Sequence, residues 1–178
     1  DPGGHVFLIA SGTVKISVQE EDGQEVVVAL ARGGDVFGEL ALFDDGPRSA
    51  TVTALTETVA YALAKSDFTA IVERNPAAMR QLLATLARRI RRSTGHIEDL
   101  VFLDLPGRVA KFLVDQNELS GSTGIVRLTQ EDVAAFVGAT RVATNRVLVE
   151  LERRGFVRLG RGHIDIVDPE KLKNEVRH

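Results

Sequence analysis

The stretch running from Pro76 to about residue 103 constrains this chain more than any other. Leu83, Leu86, Ile90, Ser93, Ile97 and Leu100 recur there at spacings of three and four, which puts them along one face of a long helix. Pro76 suits its first turn, where a missing N–H and a fixed φ cost nothing. A stripe this narrow reads as a coiled-coil seam and predicts a partner helix. Such a rod must join whatever folds on either side of it, and the two sides differ in texture.

Ahead of the rod, β-branched runs alternate with glycine-rich turns. Strands are predicted at 6–10, 13–18, 25–31, 50–55 and 58–63. Asp22-Gly23 is a hairpin signal, and Gly12, Gly33-Gly34 and Gly46-Pro47 mark further turns. This spacing predicts an antiparallel roll or barrel whose mouth can hold a small ligand, with Ile16, Val28 and Phe37 as apolar walls. Ser66-Asp67 is expected to cap a short helix at 67–74. The chain opens in turn chemistry at Asp1-Pro2-Gly3-Gly4, without a starting Met.

Behind the rod, Pro106 and Gly107 predict a hinge at 104–107, followed by a helix that carries Val109, Phe112 and Leu113. Thr129 caps a helix with acidic first-turn residues, Val137-Gly138-Ala139 makes a tight turn, and Thr140 caps a longer helix at 141–154. That is helix-turn-helix spacing. The second helix offers Arg141, Val142, Asn145 and Arg146 to a partner: arginine suits guanine O6 and N7, and asparagine suits adenine. Residues 156–159 and 163–167, joined by Gly160-Arg161-Gly162, predict a two-stranded wing. Arg161 at its tip, with Thr129, Gln130 and Thr140, would then meet backbone phosphates. Asp168-Pro169 opens a last short helix.

Composition narrows the function classes. With 178 residues and 44% apolar content, two small domains can each bury a core. No cysteine is present, which removes disulfides, iron–sulfur ligation and thiol catalysis, and the four histidines lack metal-ligand spacing. Neither a catalytic constellation nor an apolar run of membrane length occurs, so a non-enzymatic, cytoplasmic protein without metal or cofactor is expected. Net charge is only −3, and residues 1–103 carry 10 basic and 14 acidic side chains against 12 and 11 in 104–178. A mildly acidic sensor joined to a nucleic-acid reader fits that balance.

The chemistry concentrates in Phe37-Gly38-Glu39-Leu40-Ala41-Leu42-Phe43 and, after a turn, Gly46-Pro47-Arg48-Ser49-Ala50-Thr51-Val52. Arg48 is a fixed cation with a planar fork of donors that matches a phosphate diester. Glu39 accepts only, so it suits a sugar hydroxyl. Ser49 and the amides beyond it can complete the oxyanion contacts, and Gly38 permits close approach of the main chain. The four arginines Arg88, Arg89, Arg91 and Arg92 point in several directions on the rod and read as a solvated face.

These motifs closely resemble the phosphate-binding cassette of cyclic-nucleotide-binding domains. Phe102-Leu103-Asp104-Leu105-Pro106-Gly107-Arg108 and the C-terminal helix-turn-helix extend the resemblance, in order, to the cyclic-AMP receptor protein and FNR superfamily of bacterial transcription regulators. The resemblance implies an α+β protein in three parts. They are a cyclic-nucleotide-binding β-roll at 1–75 with its first strands missing, a dimerisation helix at 76–103 and a winged helix-turn-helix at 104–178.

It further implies that Arg48 and Ser49 grip the cyclic phosphate, Glu39 the ribose 2′-hydroxyl, and Ser93 and Thr94 the purine, one subunit contributing across the seam to the other. Gly38, Leu40, Ala50, Val28 and Phe37 would complete the pocket. Cyclic AMP is the first effector expected and cyclic GMP the second. The implied partners are a homodimer mate, a near-palindromic double-stranded operator and RNA polymerase. Ligand contacts would offset the helix defect at Gly95 and fix the hinge, an allosteric population shift.

One departure stands out. Members that read a TGTGA-type half-site carry Arg-Glu-Thr where this chain has Arg141-Val142-Ala143. The alternatives are a regulator of the same architecture with another effector or none, a redox or haem sensor, and a fragment of a cyclic-nucleotide-regulated enzyme or channel.

Overall fold

The computed structural model describes residues 4–19, 25–40 and 48–176. The turns expected at 1–3, at Asp22-Gly23 and at Gly46-Pro47 lie outside the described residues. The chain divides into two compact units, Asp1–Ser93 and Thr94–His178.

In the first unit, alternation of buried and exposed residues makes two antiparallel three-stranded sheets. The strands are β1 (His5–Ser11), β2 (Thr13–Gln19), β3 (Glu25–Arg32), β4 (Val36–Phe37), β5 (Thr51–Ala54) and β6 (Val59–Ala64). One sheet has the order β4-β1-β6 and the other β3-β2-β5. In the second sheet Ile16 sits opposite Ala29 on one side and Val52 on the other. Ile9, Val14, Ile16 and Ala31 form a buried cluster, against which Ala29, Phe37 and Ala50 pack. All five expected strands are present. The two-residue β4 is additional; it brings Phe37 opposite Phe7, their rings stacked with centroids 5.0 Å apart.

Helix α1 (Lys65–Arg74) begins two residues earlier than the 67–74 span expected from a Ser66-Asp67 cap. Its N-cap is Ala64, with no side-chain cap bond, and Asp67 instead lies in the first turn, near the positive end of the helix dipole. Asn75 then caps α2 (Pro76–Phe102), its side-chain oxygen accepting from the amides of Ala77 and Ala78 at 3.0 and 3.2 Å. The helix runs unbroken through Ser93-Thr94-Gly95, so the interruption of the seam is chemical, not conformational. No atom lies within 4 Å of where a Cβ on Gly95 would stand. Leu83 and Ile97 on the seam are 56% and 60% exposed.

The second unit holds α3 (Leu105–Leu119), β7 (Ile125–Val126), α4 (Gln130–Val137), α5 (Arg141–Arg153), β8 (Val157–Gly160), β9 (His163–Ile166) and α6 (Pro169–Glu175). Val109, Leu113, Val133, Leu148, Leu151, Ile164 and Leu172 are all but fully buried and form its interior. The wing is a three-stranded sheet of order β7-β9-β8, one strand more than the sequence suggested.

The segment expected to hinge, 104–107, carries the start of a helix. Helix α2 ends at Phe102 and only Leu103 and Asp104 separate it from α3. Asp104 is the N-cap of α3: its carboxylate accepts from the Gly107 amide at 2.8 Å, with Pro106 in the first turn. A Cβ on Gly107 would stand 3.1 Å from that carboxylate oxygen. Gly107 thus leaves the room in which the cap closes. Arg108 clamps the junction, donating from Nε to the Val137 carbonyl at 2.9 Å and from Nη1 to the Leu103 carbonyl at 3.0 Å.

Candidate nucleotide pocket and nucleic-acid interface

The mouth of the roll encloses a cavity of about 500 Å³, a size that suits a ligand of nucleotide dimensions. Of the expected pocket residues, Val28, Phe37, Gly38, Glu39, Leu40, Arg48, Ser49, Ala50 and Ser93 all line it, as does Ile16. Thr94 is not among the lining residues and falls in the second unit.

The polar end is organised around two charged groups, Glu39 and Arg48. Glu39 is 1% exposed. One of its oxygens, Oε1, pairs with Nη1 of Arg89, while Arg89 Nη2 donates to the Val36 carbonyl at 2.6 Å. The other, Oε2, is buried with no hydrogen-bond partner among the described residues. A buried carboxylate oxygen of this kind calls for a donor such as a sugar hydroxyl.

Arg48 donates from Nη1 to the Gly38 carbonyl at 3.0 Å and from Nη2 to the His5 carbonyl at 2.9 Å. Its guanidinium carbon sits 5.8 Å from the Phe7 ring centroid, within cation–π range. Two of its five N–H donors are thereby used to fix the plane of the group, and the rest stay available to an anion. Gly38 has φ +80°, and a Cβ there would stand 2.5 Å from Arg48 Nη1. The glycine therefore makes room for the arginine, a more specific reason than general closeness of the main chain to a ligand.

Arg89 corrects the reading of the arginine cluster as a solvated face. Arg88, Arg91 and Arg92 are exposed, with Arg88 donating to Thr85 Oγ1 at 2.9 Å, but Arg89 turns into the pocket and pairs with Glu39. A signal is present in the sequence: Arg89 lies four residues before Ser93, hence on the same helical face. Phe7 and Thr51 also line the cavity, beyond the residues expected there.

In the second unit, α4 opens on a capping box. The Thr129 hydroxyl accepts from the Asp132 amide at 3.1 Å and donates to Asp132 Oδ2 at 2.6 Å, and that carboxylate accepts from the Thr129 amide. Gly138 ends the helix at φ 65°, in the left-handed region that favours glycine. Thr140 caps α5 by accepting from the Ala143 amide at 3.2 Å. Arg141, Val142 and Arg146 are exposed on α5, and Arg161 is exposed on the wing turn. Thr144, by contrast, is fully buried.

Asn145 is tied down: its Nδ2 donates to Gln130 Oε1 at 2.5 Å, linking α5 to the start of α4. Two residues expected to contact DNA separately therefore form a unit.

Tilted aromatic contacts hold the part of α2 that belongs to this unit. His96 lies 4.8 Å from Phe136 and Phe136 lies 4.3 Å from Phe112, centroid to centroid. Leu100 approaches Gly138, and Asp99 pairs with Lys111. Burial lowers the His96 pKa below its ordinary value of 6.5; Asp99 opposes the shift, while Lys111 and Arg108 add to it. At pH above 6.5 the ring is neutral folded or unfolded. Below that, the unfolded chain takes a proton the folded one resists, so stability falls with pH towards the depressed folded value. The melting temperature of wild type is expected to drop more steeply between pH 7 and about 5.5 than that of His96→Gln; parallel profiles would assign the acid sensitivity elsewhere.

Residues 1–75 match the cyclic nucleotide-binding domain family and residues 107–175 the Crp-like helix-turn-helix domain family. The chain is 38% identical over 183 aligned positions to the CRP-like cAMP-activated global transcriptional regulator of Mycobacterium tuberculosis, covering 99% of this chain and 82% of that protein. It is 35% identical to the cyclic AMP receptor protein of Thermus thermophilus, covering 97% of this chain and 80% of the relative. Among solved structures, a CRP/FNR-family transcriptional regulator, also of Thermus thermophilus, superposes with a TM-score of 0.84 at 25% identity, covering 100% of this chain and 90% of that one. Among the described residues there is no helix long and apolar enough to cross a membrane, and no acidic, histidine or cysteine cluster able to hold a metal.

Proposed function

The chain belongs to the CRP/FNR family of transcription regulators, with a cyclic nucleotide-binding domain and a DNA-binding helix-turn-helix, and we propose that cyclic AMP is the effector that governs its binding to DNA as a homodimer. The observation that carries this reading is the Glu39 carboxylate: one oxygen held by Arg89, the other buried and unpartnered at the edge of a cavity that also presents Arg48 and Ser49. A ribose hydroxyl satisfies the first site and a cyclic phosphate the second, and a purine fills the apolar walls of Ile16, Val28 and Phe37. The names of the two relatives given above support the choice of cyclic AMP over cyclic GMP.

An exposed stripe on α2 supports dimerisation. Leu83 and Ile97 lie exposed on one helical stripe, and removing such side chains from water stabilises each by about 1.5–3 kcal/mol when burial is complete. A second copy of the same helix supplies a matching stripe. In the dimer, Ser93 and Thr94 meet the purine from the two subunits, and Arg141, Arg146 and Arg161 meet the operator. RNA polymerase is the partner expected for the DNA-bound form.

Calorimetric titration of the purified protein with cyclic AMP and with cyclic GMP tests the effector directly. Saturable binding of cyclic AMP in the micromolar range, at least tenfold tighter than cyclic GMP, is expected. Tighter cyclic GMP binding would reassign the effector, and no heat from either would leave the pocket to another ligand.

A further inference from the structure

The exposed face of α5 carries an apolar side chain among cations. Val142 stands in the first turn, 64% exposed, beside Arg141 and one helical turn before Arg146, both exposed. Neither arginine has a carboxylate partner among the ion pairs of the described residues. The other polar member of this face, Asn145, is half-buried and spends one amide hydrogen on Gln130. The N-terminal turn of a recognition helix is the part that reaches base edges, so Val142 is carried towards the floor of the major groove. There it meets a surface made almost wholly of donors and acceptors. The exception is the C5-methyl group of thymine, the apolar feature a valine can cover without stranding a polar atom.

Resting on the reading of this chain as an operator-binding regulator, we propose that Val142 is a specificity-determining residue that selects a thymine in each half-site through its C5-methyl group. Arginine contacts to guanine fix the register on either side. A carboxylate at this position would accept from cytosine N4. Valine offers no acceptor and gains only by contact with a methyl, so cytosine there leaves its amino group desolvated and unpaired. The preference thus moves from a hydrogen-bonded base to a methylated one, and 5-methylcytosine shares the chemistry through the same group.

The experiment starts from double-stranded DNA enriched on the purified protein from a random library, with and without cyclic AMP. Each thymine of the enriched half-site is then replaced singly by 2′-deoxyuridine, which removes the methyl and nothing else. Wild type is expected to bind about fourfold more weakly at one thymine per half-site, the worth of one buried methyl group, and to be indifferent at the others. Val142→Ala is expected to lose that difference, and restoring the methyl as 5-methylcytosine at the same position to recover part of the wild-type affinity. Enriched DNA on which every uracil substitution is neutral, or on which the sensitivity survives in Val142→Ala, overturns the proposal while leaving the operator-binding reading intact. Failure to enrich any sequence under either condition overturns that reading and the proposal with it.

Discussion

Arg48→Leu is expected to lower the affinity for cyclic AMP at least about thirtyfold, measured by calorimetry against wild type. The guanidinium is held in one plane by the Gly38 and His5 carbonyls, at 3.0 and 2.9 Å, and faces a cavity whose remaining walls are largely apolar. A cyclic phosphate entering there leaves water and must recover its hydration from this fork and from Ser49. Loss of a charge-assisted contact at a desolvated site costs about 2–5 kcal/mol, and each 1.4 kcal/mol is a factor of ten. Arg48→Lys, which keeps the charge and loses the fork, should fall between the two. The two carbonyl hydrogen bonds also contribute to the fold, about 1 kcal/mol each, so the melting temperature of the nucleotide-free variant must be recorded alongside. Binding within threefold of wild type, with the fold intact, would remove Arg48 from the phosphate site.

The second large effect is on stability. Arg89→Ala should destabilise the first unit by about 3 kcal/mol, because it leaves the carboxylate of Glu39 buried without its counter-charge. The reverse change, Glu39→Gln, should cost clearly less. The side chain of Arg89 is 30% exposed and can turn to water, whereas that of Glu39 is 2% exposed and cannot. Combining the two changes should recover part of the Arg89→Ala loss, since no buried charge then remains. Chemical denaturation of the four proteins reads this out, and equal costs for the two single variants would show that the pair is solvated rather than buried.

That pair also marks where sequence reasoning stops. The cassette was legible since Arg48, Glu39 and Ser49 stand in a fixed order around turn residues, and the structure brings them to one cavity. The caps at Thr129 and Thr140 and the turn at Gly138 were legible too, being set within a few residues of sequence. For Arg89 only its spacing from Ser93 was legible, because which arginine of a cluster turns inward depends on where the roll meets the helix, a tertiary fact. The strands β4 and β7 are only two residues long and owe their state to pairing with β1 and β9, not to a pattern of their own. At 104–107 proline and glycine suggest freedom, yet their arrangement is a standard helix start: a capping aspartate, a proline in the first turn and a glycine whose amide closes the cap.

The closeness of Gly38 to Arg48 has a consequence for how such a pocket changes over generations. Because a methyl at position 38 would collide with the guanidinium at 2.5 Å, position 38 is not free to drift while Arg48 keeps its place. A lineage that gives up the arginine releases the crowding at position 38, and only the positive φ of the turn then favours glycine. Side chains can begin to accumulate there, and each one closes the space into which an arginine would have to return. Loss of the arginine is therefore an easy step to take and a hard one to retrace.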